Sequence, residues 1–362
     1  MKKLSFFLTL ALLVSVLAGC AGTPVVYYTN CTCPVEEHEA APAETTPEVE
    51  TPVLAEGALK TGLYLSAGIG ESKSATAEEN GEGKYDVTMV AVLVDDNGVI
   101  QDCIIDGIAA SVTFDNAGVI TADLGKAPQT KNELGENYGM VAWGGAVAEW
   151  DAQAAALADF AVGKTAAELR SGAVDETGHA PEGTDLATSA TIYLGGYVSA
   201  IEKAVANAQH LGAQAGDELK MACNTGIGSS ASAEAEKAGN AQLDVDVAVL
   251  TMNGETLTSC VIDSVQAKVA FDVAGAVTTD LSVPVQTKNE LGENYGMVAW
   301  GGAIAEWNEQ AASFAAYVTG KTPAEGSGIA VDEGTKPAEA DLATSVTIAI
   351  GGFQALIAKA AQ

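Results

Sequence analysis

Residues 129–146 read QTKNELGENYGMVAWGGA, and residues 286–303 repeat them letter for letter. Sliding the chain on itself by 157 positions (286 minus 129) also pairs Cys103 with Cys260, Phe114 with Phe271 and Trp150 with Trp307. A period of that length far exceeds the roughly 20–50 residues of a solenoid unit, so two copies of one globular fold are expected. Each copy is long enough to bury its own core. Outside the identical stretch the copies have drifted. DCIIDGIAASVTF answers to SCVIDSVQAKVAF, keeping apolar alternation and exchanging the rest, as packing alone requires. The identical stretch contains Lys131, Asn132, Glu133, Glu136 and Asn137, types that a core does not constrain. Either their surface serves a purpose in both copies, or the two segments were recently homogenised.

The first residues read as a signal peptide over 1–19: Lys2 and Lys3, an apolar run from Leu4 to Val16, then LAGC ending at Cys20. LAGC resembles the lipobox of bacterial lipoproteins, which implies cleavage before Cys20 and a diacylglycerol on its thiol. Two acyl chains give stable anchoring where one would not. No later run approaches the ~20 apolar residues of a transmembrane helix, so the expectation is a protein tethered outside the membrane. Residues 20–57 then form the lipidated start and an acidic linker. From 35 onward it is rich in Pro, Glu and Thr, with too little apolar surface to offset chain entropy. Residues 58–212 and 213–362 are left as the two domains.

With 48 acidic and 17 basic residues the net charge is −31, which argues against nucleic acid or anionic headgroups as partners. Cys103 and Cys260 are equivalent and lie in strand-like runs, where a buried thiol is the default. At the same offset Cys223 falls on Ser66 and belongs to no shared site. Cys31 and Cys33 lack the spacing of a haem or zinc site, and no metal site is expected.

Within one copy, Tyr85–Val94 alternates, Asn97-Gly98 signals a hairpin, and Val99–Ile105 resumes the strand. Ser111–Phe114 and Val119–Leu124, about a turn at 116–118, read as a second hairpin. The period then becomes helical, with Val147, Trp150, Ala154, Leu157 and Ala161 in one copy and Ile304, Trp307, Ala311, Phe314 and Val318 in the other. Gly163 and Gly320 are plausible stops. The GKT that follows each is no phosphate loop, since the required upstream glycine is Ala158 or Ala315. A last helix carries Val198, Ile201, Val205 and Ala208, or Phe353, Leu356, Ile357 and Ala360. Strands first and helices after indicate an α+β fold.

Just before that helix stand DLATSATI (Asp185–Ile192) and DLATSVTI (Asp341–Ile348). They resemble the attachment motif of the FMN-binding domain family, found in the C subunit of sodium-pumping quinone reductases, the G subunit of Rnf complexes and exported flavoproteins. In that family the last threonine is esterified to the phosphate of FMN by a separate, metal-dependent flavin transferase that consumes FAD. The resemblance implies covalent FMN on Thr191 and Thr347. It places Asp185 and Asp341 at the acidic position used during transfer, with Thr188, Ser189, Thr344 and Ser345 inside the motif. Ser189 and Ser345 stand where the family usually has glycine, and Val346 where it has alanine. A threonine just before a helix would set a phosphodiester at the helix N-terminus, where free N–H groups and the dipole favour negative charge. Alternatively, Asp185, Thr188 and Ser189 are ordinary turn and cap residues. The family also lays a loop of the type ETPGLG against the flavin ring. TKNELGENYGM resembles it loosely, aligning Leu134-Gly135 and Leu291-Gly292, and Tyr138, Tyr295 or Trp143 could stack on the ring. Met140 and Trp143 could equally be core, and for Trp150 and Trp307 core is the better reading.

The leading functional expectation is thus an extracytoplasmic lipoprotein carrying two FMN groups and relaying electrons from a membrane quinone-linked donor to extracellular acceptors. The alternative is a cofactor-free surface lipoprotein with duplicated ligand-binding or adhesive modules. A hydrolase is disfavoured: the three histidines (His38, His179, His210) are not shared between copies, and no GxSxG occurs.

Overall fold

Successive side chains of a strand point to opposite faces, and in this chain both faces of each long strand are apolar. Along β2 (Gly81–Val94), Tyr85, Val87, Met89, Ala91 and Leu93 enter one core, while Val90, Val92 and Val94 enter another. With β1 (Lys60–Gly68) and β3 (Ile100–Phe114) it forms an antiparallel sheet in the order β1-β2-β3. A second antiparallel sheet has β4 (Glu218–Gly226), β5 (Gly239–Asn253) and β6 (Thr256–Phe271) in the same order. The computed structural model describes residues 57–362. The expected signal peptide, Cys20, Cys31, Cys33 and the expected linker as far as residue 56 lie outside the described residues.

The first sheet is followed by α1 (Lys131–Leu134), a 3-10 turn at Gly135–Tyr138, α2 (Met140–Gly144), α3 (Trp150–Ala161), α4 (Ala166–Ala173), α5 (Asp185–Ser189) and α6 (Gly195–Asn207). The second is followed by α7 (Lys288–Leu291), a 3-10 turn at Gly292–Tyr295, α8 (Met297–Gly301), α9 (Trp307–Val318), α10 (Pro323–Ser327), α11 (Ala340–Ala343) and α12 (Gly351–Ala360). The architecture is α+β, two three-stranded antiparallel sheets with helices. No helix among the described residues is long and apolar enough to cross a membrane.

The helices cover only one face of each sheet, and the other faces meet. Leu63, Leu65, Val87 and Met89 share one core with Leu219, Cys223, Val245 and Val247. The layers therefore run helix, sheet, sheet, helix, and residues 58–212 and 213–362 belong to one compact unit. Phe114 and Phe271 stack at its centre, with ring centroids 3.9 Å apart and planes 2° from parallel. The flanking contacts are reciprocal. The Ala75 N–H donates to Gly275 O (2.8 Å) and that of Ala233 to Gly118 O (2.7 Å). The Val277 N–H donates to Ser74 Oγ (2.9 Å) and that of Ile120 to Ser232 Oγ (3.0 Å). Such i-to-j, j-to-i pairing is the signature of a two-fold relation.

Several sequence expectations need amending. β3 and β6 run unbroken to Phe114 and Phe271, because Gly81 and Gly239 still pair with those residues, so the second hairpin shrinks to the single bridges Phe114–Ile120 and Phe271–Val277. The apolar helices start at Trp150 and Trp307, leaving Val147 and Ile304 exposed. The register also shifts one equivalence. Lys60 pairs with Val94 as Glu218 pairs with Met252, so Cys223 corresponds to Leu65 and fills the inter-sheet core in its place. Burial pushes all three thiols of the described residues up, Cys260 to about 12, which makes them inert packing groups.

Candidate functional site

The solvent-type residues of the repeated segment hold it in place. Thr130 caps α1: its Oγ1 accepts the Glu133 N–H (3.1 Å), and its own N–H donates to Glu133 Oε2 (2.9 Å). Asn132 ties the helix to β3, its N–H donating to Asp106 Oδ1 (3.1 Å) and its Nδ2 to Ile105 O (3.0 Å). Asn289 repeats both bonds, to Asp263 and Ile262, at the same distances of 3.1 and 3.0 Å. Farther on, the Glu149 carboxylate accepts the N–H groups of Met140 (2.8 Å) and Val141 (3.0 Å), and Glu306 does the same for Met297 and Val298 (2.8 and 3.0 Å).

Lys131, read from the sequence as a solvent-type residue, is only 7% exposed. Its Nζ stands 4.8 Å from the Trp150 ring centroid and 5.5 Å from that of Tyr138. Lys288 lies 4.5 Å from Trp307 and 5.4 Å from Tyr295, and burial pulls its pKa below the ordinary lysine value. A cation against two aromatic faces is attracted by their quadrupoles, which offsets part of its desolvation.

Lys131, Tyr138, Met140 and Trp150 form one wall of a cleft of about 590 Å³, open to solvent. Tyr64, Asp86 and Thr88 on the sheet, and Ile192, Tyr193, Gly196, Tyr197 and Lys203 from the α5–α6 region, complete it. The Trp150 indole N–H donates to Tyr197 Oη (3.1 Å) while the rings meet edge to face at 5.7 Å. In the second half Trp307 and Phe353 keep that edge contact at 5.7 Å, flanked by Tyr295, Met297 and Ile348.

Thr191 is exposed and directly precedes Ile192 and Tyr193 of the cleft lining. Its N–H donates to Oε1 of the fully buried Gln153 at 2.8 Å and its hydroxyl to the same oxygen at 3.3 Å. Thr347, half-exposed, makes the same pair of bonds to Gln310, at 2.8 and 3.3 Å. Just upstream, Asp185, Thr188 and Ser189 lie on α5, whereas Asp341 lies on α11 and Thr344 and Ser345 follow its end. The Thr188 hydroxyl donates to Asp185 O (2.7 Å), Thr344 to Asp341 O (2.8 Å), Ser189 to Asp185 O (3.3 Å) and Ser345 to Leu342 O (3.3 Å). Asp185 and Asp341 are exposed.

Two placements differ from expectation. α6 begins at Gly195 and α12 at Gly351, four residues past each threonine, so the Thr191 and Thr347 N–H groups are held by glutamine instead of opening a helix. In the repeated segment Tyr138 reaches the cleft, whereas Leu134, Gly135 and Trp143 are not among its lining residues. Trp143 and Trp300 are 89% and 91% exposed. Trp150 is both core and cleft wall. Leu291 and Gly292 close the α7 turn as Leu134 and Gly135 close α1.

No family model, curated protein or solved structure matches this chain. The site therefore rests on its own geometry.

That geometry predicts a pH dependence. Asp263 accepts the N–H groups of Ser264 (2.7 Å) and Asn289 (3.1 Å), but burial outweighs them and raises its pKa from 3.8 to about 6. A raised folded-state value favours the protonated acid. Its stabilising contribution is complete below about pH 4 and lost as pH rises through 6. Asp263→Asn, which keeps the acceptor oxygen, should match the parent near pH 4 and exceed it at pH 7.5 by up to roughly 3 kcal/mol. Urea unfolding of both proteins at the two pH values measures this, and equal gaps at both would disprove it.

Proposed function

We propose that the protein is a membrane-anchored, extracytoplasmic electron carrier with two covalent FMN groups, one per half, each esterified through its phosphate to Thr191 or Thr347. The supporting observation is that both threonines, marked first by a motif, stand at matching positions in space, solvent-accessible and anchored to a buried glutamine. The first adjoins a cleft whose dimensions and lining suit a flat heteroaromatic ring. A flavin there would supply reversible one- and two-electron transfer. Tyr138, Tyr193 and Tyr197 offer aromatic surface, and Gly196 allows close backbone approach. Lys131 presents a cation to any group that gains negative charge, and the dipole of α6, whose N-terminus has no side-chain cap, favours a nearby phosphate.

On this reading a flavin transferase matures the chain, a quinone-linked membrane donor reduces it, and acceptors outside the cell oxidise it. Co-expression with a flavin transferase should give yellow protein whose intact mass exceeds the unmodified mass by two FMN units. An unmodified mass would favour the alternative, a cofactor-free surface lipoprotein. The exposed Trp143 and Trp300 would then be its recognition groups.

The identical segments suggest similar environments for the two groups, but the sheet walls differ. By register Asp244 stands for Asp86, while Asp246 stands for Thr88 and Ala222 for Tyr64. Asp246 acts electrostatically on Lys288 and Tyr295, and its carboxylate faces Gly352 at the start of α12. An added negative charge disfavours reduction, so the Thr347 group should have the lower potential, by tens of millivolts or about 1 kcal/mol per electron. Spectroelectrochemical titration of singly flavinylated proteins tests the order, and Asp246→Thr should narrow the gap.

A further inference from the structure

A buried amide is costly unless its polar atoms are bonded, and the Gln153 oxygen gathers its three bonds from one loop. The side chain leaves α3 one turn after Trp150 and is 0% exposed. Its Nε2 donates to Ala148 O at 2.8 Å. Its Oε1 accepts the Thr191 N–H at 2.8 Å, the Ile192 N–H at 3.1 Å and the Thr191 hydroxyl at 3.3 Å. Gln310 repeats the set, with Ala305 O, Thr347 N–H and Ile348 N–H at 2.8, 2.8 and 3.2 Å and the Thr347 hydroxyl at 3.3 Å. Two consecutive N–H groups on one oxygen fix the backbone of the acceptor loop. The hydroxyl proton is drawn inward, which leaves the oxygen lone pairs facing solvent.

We infer that Gln153 and Gln310 are positioning residues that present the Thr191 and Thr347 hydroxyls for flavin transfer and select them over the neighbouring threonines. This rests on the proposed flavin attachment. In transfer the threonine oxygen attacks the FMN-side phosphorus of FAD. An oxygen–phosphorus bond forms, the pyrophosphate bond breaks, AMP departs with its electron pair, and the hydroxyl proton passes to a base of the transferase. Thr188 and Thr344 make no such contact, their hydroxyls being bonded to the carbonyls of Asp185 and Asp341.

The experiment uses the whole chain with a flavin transferase, FAD and a divalent cation, and follows each threonine by peptide mass. Gln153→Met fills the same space without accepting a hydrogen bond. It should lower kcat for Thr191 at least tenfold with KM within twofold, while Thr347 in the same molecule reacts at the parental rate and reports intact folding. Gln310→Met should give the mirror image. Parental rates at both threonines in either variant, or a loss carried by KM alone, overturn the role of the glutamine. A parent chain that takes up flavin at neither threonine overturns the flavin reading itself.

Discussion

Thr191→Ala is expected to take up one FMN, on Thr347, and Thr347→Ala one FMN, on Thr191; the double variant should remain colourless. The effect is all-or-none because the ester oxygen itself is removed. The two sites should respond independently, since each threonine contacts the glutamine of its own half. Nearby hydroxyls should not substitute. Those of Thr188 and Ser189 point back to the Asp185 carbonyl inside α5, and the loop that α3 anchors begins only afterwards. Intact mass gives the count and peptide mapping the positions. Flavin found on Thr188 or Ser189 in the Thr191→Ala protein would contradict the assignment. Folding should be unaffected, because the Thr191 N–H keeps its bond to Gln153.

The second large effect concerns the shared core. Phe271→Ala removes half of the stacked pair at the middle of the inter-sheet layer, where both rings are fully buried. The backbone around them is built to the ring. A Cβ at Gly81 would lie 2.2 Å from Phe114 Cε2, and one at Gly239 would lie 2.3 Å from Phe271 Cε2. Deleting a buried phenyl group costs about 3–5 kcal/mol, lost transfer energy plus an incompletely collapsed cavity. Because one core joins both sheets, the loss should appear as a single urea transition at lower midpoint, coincident by tryptophan fluorescence and far-ultraviolet circular dichroism. Two separate transitions, or an unchanged midpoint, would refute a cooperative shared core.

What could be read from the sequence was what is local in it. The Asn97-Gly98 turn, the apolar faces of α3 and α9, and the paired threonine motifs depend on neighbours within a few residues. Alternation along β2 announced a strand but could not say what covers its second face. That cover is the other sheet, well over a hundred residues away. Lys131 looked like a surface residue because nothing in its spacing tells of Trp150 and Tyr138 closing over it. Gln153 and Gln310 did leave a trace: an amide recurs, three residues after a tryptophan, on an otherwise apolar helical face in both halves. Cys223 was paired with the wrong partner because the first hairpin is one residue longer than the second, which breaks the constant offset.

The reciprocal bonds around Phe114 and Phe271 bear on assembly. A face on which residue i meets j and j meets i is complementary to itself, so a chain with only one half would find its missing cover in another copy of the same chain. The present chain carries both faces itself, so closing the contact needs no second copy and does not depend on protein concentration.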